Sequence, residues 1–492
     1  MRPVSELLDS ETTLDADDGY KWKAFAAIGL SFFTMVMTMS MVFVALSAIA
    51  DDFGVTLRAV SWVVIVEALV ISAVMLPMGR LADIVGRKKV HLTGLAIFGL
   101  GAVLTAAAPT FLLLIAARLV MALGNAMGQS VGTAMIVSVF PPAERGKAVG
   151  SQTTAVSIGG ASGPIFAGLM LQVFPWQVLF AVLIVPISIA WVAAYFILDE
   201  ERVGGERSGP PDAFDWGGAI LSGLSVIVLV LTVNNPFGVP WTSPLISGGF
   251  VLVVLLFASF VRWELRHVAP MLQLRLFTIT RFTMGVATRF LGFMGSTTTR
   301  FLLPIYLISL RGMAEGGAGA VLFLISLGMG MAAQTSGRLS DRLGSRPFTV
   351  GGLGLMGAIA LAMGFITAET SITTVTLLVF LTGLSQGMWN VPNSSAILGS
   401  VPPASLGVIG AFTNLTRNLG NVFGQAIASA VVVGVMVSRG FDIPLSQIAQ
   451  VASADVAFLD GWRIAHYLIA AYAAMGMVLA FFTLENSKAE QV

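Results

Sequence analysis

Apolar residues in this chain come in long blocks separated by short polar stretches. A block of about 20 residues crosses the hydrocarbon core of a bilayer as an α-helix. By that rule spans fall roughly at 24–49, 60–78, 90–108, 111–136, 148–171, 178–198, 216–234, 244–262, 281–308, 316–336, 348–367, 375–398, 408–435 and 463–483, fourteen in all. Open sheet is excluded, because lipid offers sheet edges no hydrogen-bond partners. The pattern therefore predicts an all-α polytopic membrane protein. Residues 1–20 are polar and acidic (Glu6, Asp9, Glu11, Asp15, Asp17, Asp18) and lack the basic start and apolar core of a signal peptide. They read as a disordered cytoplasmic tail, with 486–492 as a second tail.

One polar break is used twice. Gly79-Arg80-Leu81-Ala82-Asp83-Ile84-Val85-Gly86-Arg87 and Gly337-Arg338-Leu339-Ser340-Asp341-Arg342-Leu343-Gly344-Ser345-Arg346 share Gly-Arg-Leu-x-Asp-x-x-Gly at an offset of 258 residues. Glycines allow a tight reversal there, and the aspartate can accept from an arginine or a helix N-terminus. Pro141 to Gly146 is echoed by Pro402 to Gly407 at offset 261, and Gly124 and Gly128 by Gly383 and Gly387 at offset 259. Such echoes imply two homologous six-helix bundles, 21–200 and 276–485, joined by a 201–275 linker with two extra spans. Parallel repeats of this kind build transporters with a central midplane site.

Composition sharpens this picture. The 492 residues are 56% hydrophobic and 11% charged, with net charge +1 and mean hydropathy +0.88; a soluble globule carries about 25% charged residues. The near-zero charge gives no bulk attraction for nucleic acid. With both termini inside, 19 Lys and Arg fall on the cytoplasmic side and 4 outside, a bias that fixes the orientation. There is no cysteine, so disulfide and thiolate chemistry are excluded, and His91, His267 and His466 are scattered near span ends rather than set as metal ligands.

Inside the spans the chemistry is sparse. Glu67 is the one carboxylate well inside a span, and a buried ion there costs on the order of 3 kcal/mol or more. Arg118 lies at a matching depth, about 10 Å below the outer end of span four, so the two are expected to approach each other. A carboxylate that moves between apolar surroundings and an arginine's field changes its grip on a proton, which makes the pair the candidate proton-coupling site. Arg289 and Arg300 are eleven residues apart on span nine and share a face. With Arg118 and Arg417, four interior arginines face one glutamate, which favours anionic or neutral amphipathic substrates. Gln386, Asn390, Asn393, Asn414, Asn418, Asn421 and Gln425 are either ligand contacts or interhelical hydrogen-bond glue. Gly352-x-Gly354-x-x-Gly357 matches a dinucleotide-binding pattern, but it lies inside a span with no strand before it. No Walker loop and no catalytic constellation occurs, so an enzyme is not expected, and an ion gradient must supply the energy with no cofactor.

The repeated loop resembles the helix 2–3 loop of the major facilitator superfamily. Gly159, Gly163, Pro164 and Gly168 resemble its fifth-helix antiporter motif, and Arg118 with Gly124 its fourth-helix motif, with Met121 and Ala122 in place of the usual Gln and Gly. Phe214 to Gly218, Glu264 with Pro270 to Phe277, and Asn414 to Gly424 look like the fourteen-helix drug:proton antiporter family. The resemblance implies alternating access, with Gly79, Asp83, Arg87, Gly337, Asp341 and Arg346 latching the bundles at the cytoplasmic rim. It also implies a cavity lined by spans one, four, nine and twelve. Arg300, Arg289, Asn390 and Trp389 are then candidate substrate contacts, with Phe43 and Met121 as apolar walls and Arg417 as a structural residue. One departure matters: the family's first-helix Asp is Thr38 here, so a proton site cannot be carried over to that position, and Thr38 joins the candidate substrate contacts. The expected job is export of drug-like or amphipathic small molecules in exchange for protons, by a monomer in the plasma membrane. A dedicated exporter of one anionic or lipid-like metabolite is the alternative; a scaffold or flippase-like protein without proton antiport is a third reading.

Overall fold

The computed structural model describes residues 4–204, 214–236, 239–240, 243–402, 405–441, 443, 445–451 and 453–483; side chains of 4–18 and of a few loop residues are not described. The 486–492 tail, Arg2, Arg207, Lys488 and the Pro403-Ala404 part of the second echo lie outside the described residues. Among the described residues fourteen long helices carry the fold: α1 (Val4–Phe53), α2 (Trp62–Val85), α3 (Arg87–Ala106), α4 (Phe111–Val139), α5 (Arg145–Met170), α6 (Gln177–Ile197), α7 (Trp216–Asn234), α8 (Pro244–Glu264), α9 (Thr280–Pro304), α10 (Glu315–Leu343), α11 (Ser345–Gly364), α12 (Ile372–Gly399), α13 (Leu406–Ser438) and α14 (Ala454–Thr483). Each coincides with one apolar block, except that α1 begins at Val4, inside the acidic stretch read as a tail.

Twelve of these helices are long and apolar enough to cross a membrane. The two that fall short are α5, rich in Gly, Ser and Thr, and α9, which carries Arg281, Arg289 and Arg300. Both are packed against other helices on more than one side, α5 against α1 and α10, α9 against α12, α13 and α14. Their polar residues face protein rather than lipid, so they need less hydropathy.

Helix contacts repeat along the chain. The α1–α5, α2–α4, α3–α4 and α3–α6 pairs correspond to α9–α13, α10–α12, α11–α12 and α11–α14. One apolar core holds only residues from Ala24 to Val203; another, only residues from Leu302 to Ala465. Between them, α2 and α4 pack on α13, while α5 packs on α10 and α12. The α7–α8 pair breaks this symmetry: α7 packs on α2 and also touches α13, whereas α8 is largely exposed outside its contact with α7.

The two repeated loops are single-residue breaks. Gly86 (φ 111°) ends α2 and precedes α3, and Gly344 (φ 87°) does the same between α10 and α11. Side chains rarely adopt that left-handed backbone, which is why glycine stands there.

Candidate functional site

Each loop aspartate reaches a helix of the other half. The Asp83 Oδ2 accepts from the backbone amide of Val408, near the start of α13, at 2.9 Å. Asp341 accepts from the amides of Gly146 (2.7 Å) and Lys147 (2.9 Å), at the start of α5. Both carboxylates thus cap a helix N-terminus whose first amides have no partner inside the helix. Gly79 and Gly337 make room for this. A Cβ at Gly79 would lie 3.0 Å from the Gly407 oxygen, and one at Gly337 would strike the Gly146 oxygen. Arg87 is fully buried and donates to Asp83 Oδ1 through Nε (3.1 Å) and Nη2 (3.0 Å), and to Ser138 Oγ (2.9 Å). Arg346 does nothing comparable: its guanidinium stacks on the Phe481 ring at 4.1 Å, on α14. That position puts Arg346 against its own half in this conformation.

Higher in the first half, Glu67 and Arg118 meet as a buried ion pair. Arg118 also donates to the Val63 oxygen (3.3 Å) and to Met121 Sδ (3.2 Å). The second Glu67 oxygen accepts from Asn125 Nδ2 at 3.0 Å. Asn125 Oδ1 accepts from Gln129 Nε2 (2.7 Å), and Gln129 Oε1 accepts from Arg417 Nη2 (3.1 Å) on α13. Sequence reading missed Asn125 and Gln129 and took Arg417 as merely structural. The signal was present: Arg118, Asn125 and Gln129 are seven and four residues apart, one face of one helix. Asn414 adds a second tie across the halves, donating to the Gln129 backbone oxygen at 3.2 Å.

In the second half Arg289 is buried and committed to protein acceptors: the Thr413 oxygen (2.9 Å), Asn390 Oδ1 (2.7 Å) and Ser394 Oγ (2.5 Å). Asn390 is therefore Arg289's partner in this conformation. Arg300 donates to Gln386 Oε1 at 2.8 Å, while its Nε has no protein partner. Arg289, Arg300 and Arg417 have no ion pair with a carboxylate among the described residues.

Of the other candidates, Thr38, Trp389 and Met121 are buried in this conformation and Phe43 is not. Thr38 is fully buried, and its hydroxyl donates to the Thr34 oxygen of its own helix at 2.8 Å. Trp389 is fully buried against Phe293, Leu353 and Met356, where its ring fills the space left by Gly292. Met121 is buried beside Arg118, and Phe43 is 60% exposed. Gly159 and Gly163 lie where α5 meets the α1 backbone at Phe33 and Met37, and Pro164 follows them within α5. Gly168 has open space around it, so close packing does not explain that glycine. The Gly124 echo also does not hold in contacts: Gly124 faces α3, whereas Gly383 and Gly387 face α10. No group of three or more His, Asp or Glu among the described residues could hold a metal ion.

A sequence profile of the Major Facilitator Superfamily matches residues 28–425 and 286–492. The riboflavin transporter RibZ of Clostridioides difficile is 26% identical over 95% of this chain and 98% of its own length. The multidrug efflux pump LfrA of Mycolicibacterium smegmatis is 28% identical over 82% of this chain and 79% of its own. Among solved structures, the human organic anion transporter MFSD10 superposes with a TM-score of 0.67 over 94% of this chain and 99% of that one, at 14% identity. With helices that pair alike in its first and last six, and with sequence relatives that carry solutes across membranes, the chain belongs to the major facilitator superfamily, as a multi-pass membrane transporter related to multidrug efflux pumps and not an enzyme.

Proposed function

We propose that this transporter exports drug-like or amphipathic small molecules in exchange for protons, by alternating access of a central cavity. In this reading all fourteen helices span the membrane with both termini in the cytoplasm. Two bundles, 21–200 and 276–485, rock about the interface while 201–275 adds α7 and α8, and a monomer suffices. The single observation that carries the proposal is Glu67, a carboxylate inside a span with Arg118 on one oxygen and Asn125 on the other. Ionised, it neutralises Arg118; protonated, it releases part of that network to the other half. A membrane potential supplies about 2.3 kcal/mol per charge per 100 mV, enough to bias such a cycle without ATP. Asp83, Arg87 and Asp341 hold the cytoplasmic side shut, and breaking them opens it. Arg289, Arg300 and Asn390 are substrate contacts in the opened form.

A second reading, a dedicated exporter of one anionic metabolite, draws support from the three arginines of the second half that lack carboxylate partners. The deciding experiment is substrate-induced proton release from the purified protein, with ethidium, N-phenyl-1-naphthylamine and naphthalene-2-sulfonate as cationic, neutral and anionic probes. Release that disappears in Glu67→Gln is the expected result; release that persists unchanged in that variant removes Glu67 from the coupling.

A further inference from the structure

Interior charge is balanced in one half and not in the other. Arg118 has Glu67. Among the described residues Arg417 has one bond to a side chain, to Gln129 across the interface, and no carboxylate partner. A guanidinium inside a membrane bundle is costly without a counter-charge, so a ligand that brings one binds there favourably.

Arg417 is also the last member of a directed chain. It donates to Gln129, Gln129 donates to Asn125, and Asn125 donates to Glu67. The direction is fixed at both ends, because a carboxylate only accepts and a guanidinium only donates. A proton added to Glu67 Oε1 turns that atom into a donor. The Asn125 amide must then turn its oxygen toward Glu67 and its NH2 toward Gln129. Gln129 turns in response and presents its own NH2 to Arg417. Two donors now face each other, and the bond across the halves is lost. The proton stays on Glu67 throughout; the two amides only rotate.

We propose that Arg417 is the anion-binding residue of the transport site, and that Asn125 and Gln129 position it. They hold it while Glu67 is ionised and release it to a carboxylate, sulfonate or phosphate on the substrate when Glu67 is protonated. This rests on the second reading above, an exporter of one anionic metabolite; in it the anion and the proton bind together, so sulfonate binding takes up a proton. The groups around Glu67 leave it as the switch. On α4 the facing charge is Arg118, and α13 contributes Arg417 through the chain. The apolar helix α7 has no ionisable side chain, and α2 itself has Arg80 and Asp83 only at its far end. Lys21, Lys23, Asp51 and Asp52 sit near the ends of α1's membrane-crossing part, and Arg87, Lys88, Lys89 and His91 sit at the start of α3.

The test measures binding to the purified full-length protein by calorimetry, using naphthalene-2-sulfonate and the uncharged naphthalene-2-sulfonamide. The sulfonate binds about tenfold tighter, as a charge-assisted contact requires, and its affinity rises as pH falls. Arg417→Gln brings the two probes together, while Arg417→Lys keeps part of the preference, which a purely structural role would not do. Glu67→Gln and Gln129→Leu raise sulfonate affinity at neutral pH and flatten its pH dependence. Thermal melting of each variant reports whether it is folded. Equal binding of the two probes by the parent protein, or no binding of either, overturns the anion site, as does equal loss of sulfonate binding in folded Arg417→Gln and Arg417→Lys. Unchanged sulfonate affinity in Glu67→Gln overturns the gating chain. Failure of the anion-exporter reading looks different: sulfonate binding gated by Glu67, with proton uptake, but no sulfonate transport by the protein in liposomes.

Discussion

At one end of the interface Asp83 is sealed from water, gripped by Arg87 Nε and Nη2, and bonded to one amide of the opposite half. At the other end Asp341 is partly exposed and bonded to two amides of the opposite half, with no arginine on it among the described residues. The same loop therefore makes two locks of different kinds. One depends on a buried ion pair that also fixes Ser138 on α4; the other depends on helix capping alone. The difference teaches that Asp83 ties its own half together as well as the two halves to each other. Asp341 acts between the halves.

Removing Asp83 is expected to have the largest effect, because it leaves Arg87 buried without a partner. Asp83→Ala should lose about 3–5 kcal/mol, seen as a lower melting temperature and reduced transport. Asp83→Ala with Arg87→Ala should recover part of that loss. Asp341→Ala comes next, with about 1 kcal/mol for a lost cap, and its effect should fall on closure rather than melting. The chain has no cysteine, so paired spin labels introduced at the rim of α5 and α10 can read that opening directly. Equal melting losses for the two aspartates would erase the distinction. Arg346→Gln should change neither closure nor melting by more than about 0.5 kcal/mol, as for a surface substitution, while Arg87→Gln should change both. The smallest effect concerns Glu144, just before α5. Its bond to Lys21 at 2.6 Å holds its carboxyl below the usual glutamate range. A lowered folded value means the contribution is complete above the unfolded value and lost as pH falls through the folded one. The melting difference between the parent protein and Glu144→Gln should therefore shrink as pH falls below the unfolded value of about 4.3 and vanish once pH has passed the lowered folded one.

The helices were legible because lipid demands a block of fixed length for every crossing, and the two loops because glycine, arginine and aspartate recur at fixed spacing. The Glu67–Arg118 contact was legible from depth alone, since both residues are costly in lipid and lie at one level. What the sequence does not carry is rotation about a helix axis. Trp389 and Thr38 were assigned to the cavity by helix number, but each turns its side chain into packing. Arg346 lies 258 residues after Lys88, not Arg87, and it meets the Phe481 ring as Lys88 meets Tyr195; Ser345 stands where Arg87 would. Asn125 and Gln129 went unnoticed because an uncharged amide inside a span is not costly enough to demand an explanation.

The position of α7 has a consequence for traffic from the bilayer. The two halves meet along two seams, α2 with α13 and α5 with α10, and α7 lies against the first. Nothing equivalent among the described helices covers the second. A hydrophobic solute dissolved in the membrane and moving sideways toward the interior thus meets a plugged wall on one flank and an uncovered one on the other. Among the described helices, then, only the α5–α10 seam is left without a covering helix.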